Sequence, residues 1–168
     1  MKNIFLIGFM GCGKSTIARI LSEKLGVTQV EMDEQIVQEQ GMPITEFFEK
    51  YGEERFRDIE TDLVRRLQAK NGVVVSCGGG AVLREENRRM MKESGAIVWL
   101  TAQPETILER VKHSVDRPVL NGHMNVEYIT ELMAKRHDCY EAAADFCVST
   151  DGKSREEICE EIMSLYFL

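Results

Sequence analysis

Long apolar runs are missing from this chain, and no stretch approaches the roughly 20 apolar residues that a membrane-spanning helix needs. Paired cysteine motifs are missing too. Cys12, Cys77, Cys139, Cys147 and Cys159 form no C-x-x-C unit and no cluster with histidine at zinc spacing. Isolated cysteines in odd number read as free thiols in a reducing compartment, which predicts a cytoplasmic protein. Nor is there an excess of positive charge, since 21 Lys and Arg face 28 Asp and Glu for a net charge of -7. A broad basic face for nucleic acid is thereby excluded, although a few arginines converging in one cleft still suffice for a small anion. No repeat, low-complexity tract or linker divides the 168 residues, so the expectation is a single domain, 1–168, acting as a monomer without nucleic-acid or membrane partners.

What is present is an alternation of short apolar runs with longer helical patterns. Strands are expected at Asn3–Ile7, 27–32, Val73–Ser76, 96–100 and Phe146–Ser149, and helices at 14–25, 34–50, 53–70, 85–94, 103–112, 125–142 and 154–166. Continuous runs such as Ile4-Phe5-Leu6-Ile7 and Val73-Val74-Val75 suit parallel strands covered on both faces. The β-α alternation predicts an α/β/α three-layer domain. Residues 113–125 break the pattern: they are polar, contain Pro118 and Gly122, and join two helices. A connection of that length reads as a mobile lid.

Residues 8–15, Gly-Phe-Met-Gly-Cys-Gly-Lys-Ser, match the phosphate-loop pattern G-x-x-x-x-G-K-[ST] in full, between an apolar strand and an amphipathic helix. Its glycines let backbone N–H groups face phosphate oxygens, and the helix N-terminus adds partial positive charge. Lys14 is placed for the outer phosphates and Ser15 for Mg²⁺. Met1 to Cys12, with one lysine, an apolar stretch and Gly11-Cys12, superficially matches a lipoprotein signal, but the phosphate loop explains the same residues better.

In open parallel sheets ligands bind at the carboxyl ends of the strands, and two further unusual segments stand there. Asp33 follows the second strand, where it could accept an acceptor hydroxyl's proton, hold that hydroxyl by a hydrogen bond, or cap the next helix. Gly78, Gly79 and Gly80 follow the third and predict close backbone approach to a ligand. The guanine-reading Asn-Lys-x-Asp motif and the Asp-Glu pair of motor ATPases are both missing. Arg136 falls on the apolar face set by Ile129, Leu132, Met133 and Tyr140, where it needs either an anionic ligand or a structural carboxylate partner. Arg57, amid charged neighbours, reads by itself as part of a solvated face, as do His113, His123, His137 and the acidic residues Glu156, Glu157, Glu160 and Glu161.

Taken in order, residues 8–15, Asp33, Phe56-Arg57-x-x-Glu60, Ser76-x-Gly78-Gly79-Gly80-Ala81-Val82, Arg117-Pro118 and Arg136-x-x-x-Tyr140 resemble the shikimate kinases over essentially the whole chain. The resemblance implies a five-stranded parallel sheet of order 2-3-1-4-5 and transfer of the γ-phosphoryl of ATP, with Mg²⁺, to the 3-hydroxyl of shikimate. It implies that Asp33, Arg57, Gly79 and Arg136, with Gly78 and Gly80 beside them, bind shikimate. It places ATP on Gly11, Cys12, Gly13, Lys14, Ser15 and Thr16, with Arg110 stacked on adenine, Lys153 a further adenine-side residue, and Arg117 swinging from the lid onto the transferring group. Lys14, Asp33 and Arg117 would be the catalytic set and Ser15 the metal ligand. One departure stands out, since the family's usual Asp two residues before Asp33 is Glu31 here. Rival readings are a kinase for another small hydroxy acid such as gluconate or for a nucleotide, and an ATP-binding regulatory module.

Overall fold

The computed structural model describes residues 1–112 and 124–168. Five strands, β1 (Asn3–Ile7), β2 (Thr28–Glu31), β3 (Val73–Ser76), β4 (Gly95–Thr101) and β5 (Phe146–Ser149), form one parallel sheet in the order β2-β3-β1-β4-β5. Every residue of β1 is buried, as its unbroken apolar run requires of a central strand covered on both faces. The pleat sends Phe5 and Ile7 into one apolar cluster with Val75, Ile97 and Leu63, and Ile4 and Leu6 into a second with Val74, Val98 and Leu21.

Around the sheet lie α1 (Lys14–Leu25), α2 (Met32–Gln40), α3 (Ile44–Gln68), α4 (Glu85–Ser94), α5 (Pro104–Val111), α6 (Val126–Ala143) and α7 (Arg155–Tyr166). The expected architecture and strand order are therefore found, while the helix expected at 34–50 differs. The helix expected at 34–50 is interrupted: α2 starts at Met32 and stops at Gly41, whose φ of 69° closes it in a left-handed cap, and Pro43 leads into α3. Inside α3 the backbone leaves helical geometry at Gly52, with φ 82° and ψ 167°, so the break expected between residues 50 and 53 is present. Asp33 thus follows the second strand as expected, in the first turn of α2. It is not the N-cap residue, a position that Glu31 holds without a side-chain cap.

One helix straddles both layers. α6 gives Ile129 to the second cluster and Tyr140 and Ala143 to the first, so its middle crosses the carboxyl edge of the sheet, above the phosphate loop. No helix among the described residues is long and apolar enough to cross a membrane.

Candidate active site

The loop between β1 and α1 is shaped by its glycines. Gly8 has φ 146°, and a Cβ there would collide with the carbonyl oxygen of Leu100 on the neighbouring strand. Gly13, at φ 99°, is the N-cap of α1 without any side-chain cap, so the first N–H groups of that helix stay available to an anion. Lys14 is buried, and its Nζ donates to the carbonyl oxygens of Gly8 (2.6 Å) and Phe9 (3.1 Å), with Cys12 Sγ at 3.9 Å. In this state the ammonium group closes the loop on itself, at the place where outer phosphates would draw it.

Ser15 Oγ donates to Glu31 Oε2 at 2.9 Å and stands 3.5 Å from Ser76 Oγ, while Gln29 Nε2 donates to Glu31 Oε1 at 2.8 Å. Burial pushes the Glu31 carboxyl above its ordinary range, and the hydrogen bonds from Ser15, Gln29 and Ser76 oppose the rise. The longer side chain at position 31 reaches the Ser15 hydroxyl directly. This all-oxygen donor set at the edge of the sheet fits a hard divalent cation such as Mg²⁺. A cleft of about 670 Å³ opens there, lined by Lys14, Ser15, Glu31, Asp33, Gly79 and Arg110 among others, Thr16 included.

The triple glycine forms the far wall, and its lack of side chains has a definite reason. A Cβ on Gly78 would stand 2.8 Å from Glu60 Oε2 and 2.9 Å from Asp33 Oδ1; one on Gly79 would stand 3.2 Å from Arg136 Nη1; one on Gly80 would strike the Arg57 guanidinium. Sequence reading reserved this space for a ligand, whereas the structure fills it with the charged side chains themselves. Tyr140, one turn beyond Arg136 on α6, donates its hydroxyl to the Gly79 carbonyl at 2.6 Å and pins the run in place.

Arg57 is no solvated residue, since its side chain is only 11% exposed, with Nη1 on Glu60 Oε1 at 2.9 Å and Nη2 on Glu53 Oε1 at 3.1 Å. Burial works against its charge, but Glu60 and Glu53 outweigh that and raise its pKa. Among the described residues, three buried polar atoms here have no hydrogen-bond partner: Arg57 Nε, Glu60 Oε2 and Arg136 Nη1. Native interiors rarely leave such groups unpaired, and three together mark a place built for something polar. Sequence reasoning assigned no role to Glu60 or Tyr140, although both stood in the quoted motifs. The signal was their spacing, Glu60 at i+3 from Arg57 and Tyr140 at i+4 from Arg136, which puts each beside its arginine on one helix face.

The other expected site residues are scattered more widely. Arg110 on α5 donates from Nη1 to the Gly11 carbonyl at 2.9 Å, which sets it at the mouth of the loop. Lys153, beyond β5, pairs with Glu161 Oε2 at 2.8 Å and is not among the residues lining the cleft. Arg117, His113, His123 and most of the expected lid (113–123 of 113–125) lie outside the described residues. Asn125 belongs to the next helix, accepting at its side chain from the backbone N–H of Tyr128. His137 is exposed as expected, 3.5 Å from Glu141. The acidic face of α7 is less idle than its composition suggested, for Glu156 pairs with Lys24 and Glu157 completes a capping box with Ser154.

Two expectations test this geometry. Gly80→Ala leaves the fold intact, because what the new methyl meets is the far end of a flexible side chain, but it displaces the Arg57 guanidinium. KM for the acceptor rises roughly tenfold to hundredfold with KM for ATP unchanged, read from steady-state kinetics. The second concerns Glu60, whose carboxyl is pushed up by burial, with Arg57 only partly offsetting this and Asp33 adding to it. Its proton is held to higher pH in the folded than in the unfolded chain, so its contribution to stability is complete below the ordinary value of 4.5 and is lost as pH rises past it. Glu60→Gln, which mimics the protonated form, therefore gains stability relative to the natural chain between about pH 4.5 and 7. Denaturant titrations at the two pH values check this, and a constant difference would remove burial as the controlling effect.

Comparison with known proteins adds the lineage. A family model described as shikimate kinase matches residues 10–166. A shikimate kinase of Thermodesulfovibrio yellowstonii is 45% identical over 166 residues, 99% of this chain and 95% of that protein. One from Persephonella marina is 44% identical over 97% of this chain and 98% of its own length. Among solved structures, shikimate kinase from Acinetobacter baumannii in complex with shikimate superposes with a TM-score of 0.95 at 31% identity, covering 99% of this chain and 93% of that one. A gluconokinase from Sinorhizobium meliloti, at 22% identity and a TM-score of 0.59, shares the fold alone. With a phosphate loop facing a buried and a largely covered arginine across a glycine wall, and with likeness running nearly end to end, this chain belongs to the shikimate kinase family.

Proposed function

We propose that this cleft carries out the family's reaction, moving the γ-phosphoryl of ATP to the 3-hydroxyl of shikimate to give shikimate 3-phosphate and ADP in aromatic amino-acid biosynthesis. The observation that carries the reading is Arg136, a buried guanidinium whose Nη1 lacks a partner and faces the same glycine wall as Arg57 and Asp33. A planar carboxylate on a small alcohol satisfies both arginines, and such pairs are the strong, directional kind. Asp33 receives the attacking hydroxyl, accepting its proton or orienting it by a hydrogen bond while the new O–P bond forms and the bond to the β-phosphate oxygen breaks. Gly78, Gly79 and Gly80 let Asp33, Arg136 and Arg57 close in on the acid's site, and Gly79, on the cleft wall, offers it bare backbone.

On the other side, the backbone of Gly11, Cys12 and Gly13 and the first N–H groups at Ser15 and Thr16 hold the phosphates. Lys14 leaves the Gly8 and Phe9 carbonyls for the outer phosphate oxygens. Ser15 holds Mg²⁺, with Glu31 beside it; the ion neutralises phosphate charge when bound. Arg110 lies along the adenine ring, Lys153 stands further out on that side, and Arg117, from a lid at about 113–125, meets the transferring group. The protein acts as a single-domain cytoplasmic monomer without nucleic-acid or membrane partners; the net charge of -7 speaks against a general nucleic-acid surface, and the free cysteines suit a reducing compartment.

A coupled ADP-release assay tests the reading. With ATP and Mg²⁺ supplied, shikimate should accelerate ADP release at least a hundredfold over the rate without acceptor, on the order expected of a positioned hydroxyl, and gluconate should not. Equal rates with and without shikimate would sink it, and release driven by gluconate instead would transfer the site to another acid.

A further inference from the structure

Position 9 is one of the four places in the phosphate pattern that ask for no particular side chain. Phe9 nevertheless buries its ring to 2% exposure, in the same cluster as Ile129 of α6. The Arg136 guanidinium lies over that ring, with its central carbon 5.8 Å from the ring centroid. Arg136 is itself only 4% exposed. Among the described residues no ion pair engages it, and its Nη1 stands partnerless, 3.2 Å from the Cβ position of Gly79. A long side chain bearing a buried charge would swing toward any acceptor unless something opposed it. The negative face of an aromatic ring can oppose it without consuming a hydrogen-bond donor.

We infer that Phe9 is a positioning residue for the acceptor's carboxylate: its ring face holds the Arg136 guanidinium so that Nη1 stays free and turned to the glycine wall. The inference rests on the proposed role of Arg136. The ring is steadied by the phosphate loop's own bonds, since the Phe9 carbonyl accepts from Lys14 Nζ at 3.1 Å and from the Cys12 N–H at 3.2 Å. One residue thus belongs to both grips, its backbone to the phosphate side and its ring to the acid side. An aliphatic residue would offer no charge-matched face.

Because Phe9→Leu would also disturb packing, the test is site-specific replacement of Phe9 by mono-, di- and trifluorophenylalanine. These keep the ring's shape while draining its negative face stepwise. The dissociation constant of shikimate is measured by NMR titration without nucleotide, which leaves the phosphate side out of the reading. It should rise stepwise, to about tenfold with the trifluoro ring, and thermal unfolding should stay level across the series. In an Arg136→Ala background the same series should be flat, since an effect passing through one partner vanishes when that partner is removed. A flat series in the natural background, or an equally steep one without Arg136, overturns the role of Phe9. Arg136→Ala leaving shikimate affinity unchanged overturns the site reading itself, and the two failures are therefore distinguishable.

Discussion

Lys14→Ala lowers kcat about a thousandfold while moving KM for shikimate less than about threefold, on the scale seen when one preorganised donor to developing charge is lost. The split follows from where the ammonium group sits. It is the buried cation at the head of α1, bonded to carbonyls it can release, on the phosphate side of the cleft and not among the groups that meet the acid. Charge that develops on the transferring group and on the leaving oxygen falls on this side. Lys14→Arg recovers little, because a planar fork cannot occupy a pocket closed around a single point charge. Steady-state kinetics with coupled ADP detection decides the matter: a variant retaining more than a tenth of the natural kcat would leave Lys14 as a brace for the loop and no more.

Arg136→Met has two effects of opposite sign. KM for shikimate rises about a hundredfold, as loss of a charge-assisted pair to a carboxylate requires, with kcat changed only a few-fold. The unliganded protein, however, becomes more stable by about 1–2 kcal/mol, because methionine of similar length replaces a buried charge that lacks a full set of partners. Denaturant unfolding of the empty protein measures the second effect. A less stable variant would make the guanidinium a structural brace, which is the role a salt-bridged arginine would have had. Affinity gained against stability lost is the pattern expected where a site stores an unmet interaction for its ligand.

Much of this site was legible along the chain because its parts are local. The phosphate loop is eight consecutive residues between a strand and a helix, and both flanks signal themselves by periodicity. Arg136 could be singled out because one helix face carries it among apolar residues, and helical spacing is local information. Arg57 could not, since five charged residues surround it in sequence and its cover depends on the glycine run arriving from elsewhere. The break at Gly41 to Pro43 was missed for another reason. The polar residues of α2 and the aromatic ones after Pro43 together imitate a single helix, and only the left-handed turn at Gly41 separates them.

By itself the sequence determined the sheet, its helical covering and the phosphate grip, because strand burial, helix periodicity and loop chemistry are each written within a few consecutive residues. Only the tertiary structure decided why three glycines stand together, that Glu60 and Tyr140 steady the wall, and that Phe9 lies beneath Arg136. Those facts concern which side chains from distant segments compete for one small volume, and close packing among such segments leaves no periodic mark on any one of them.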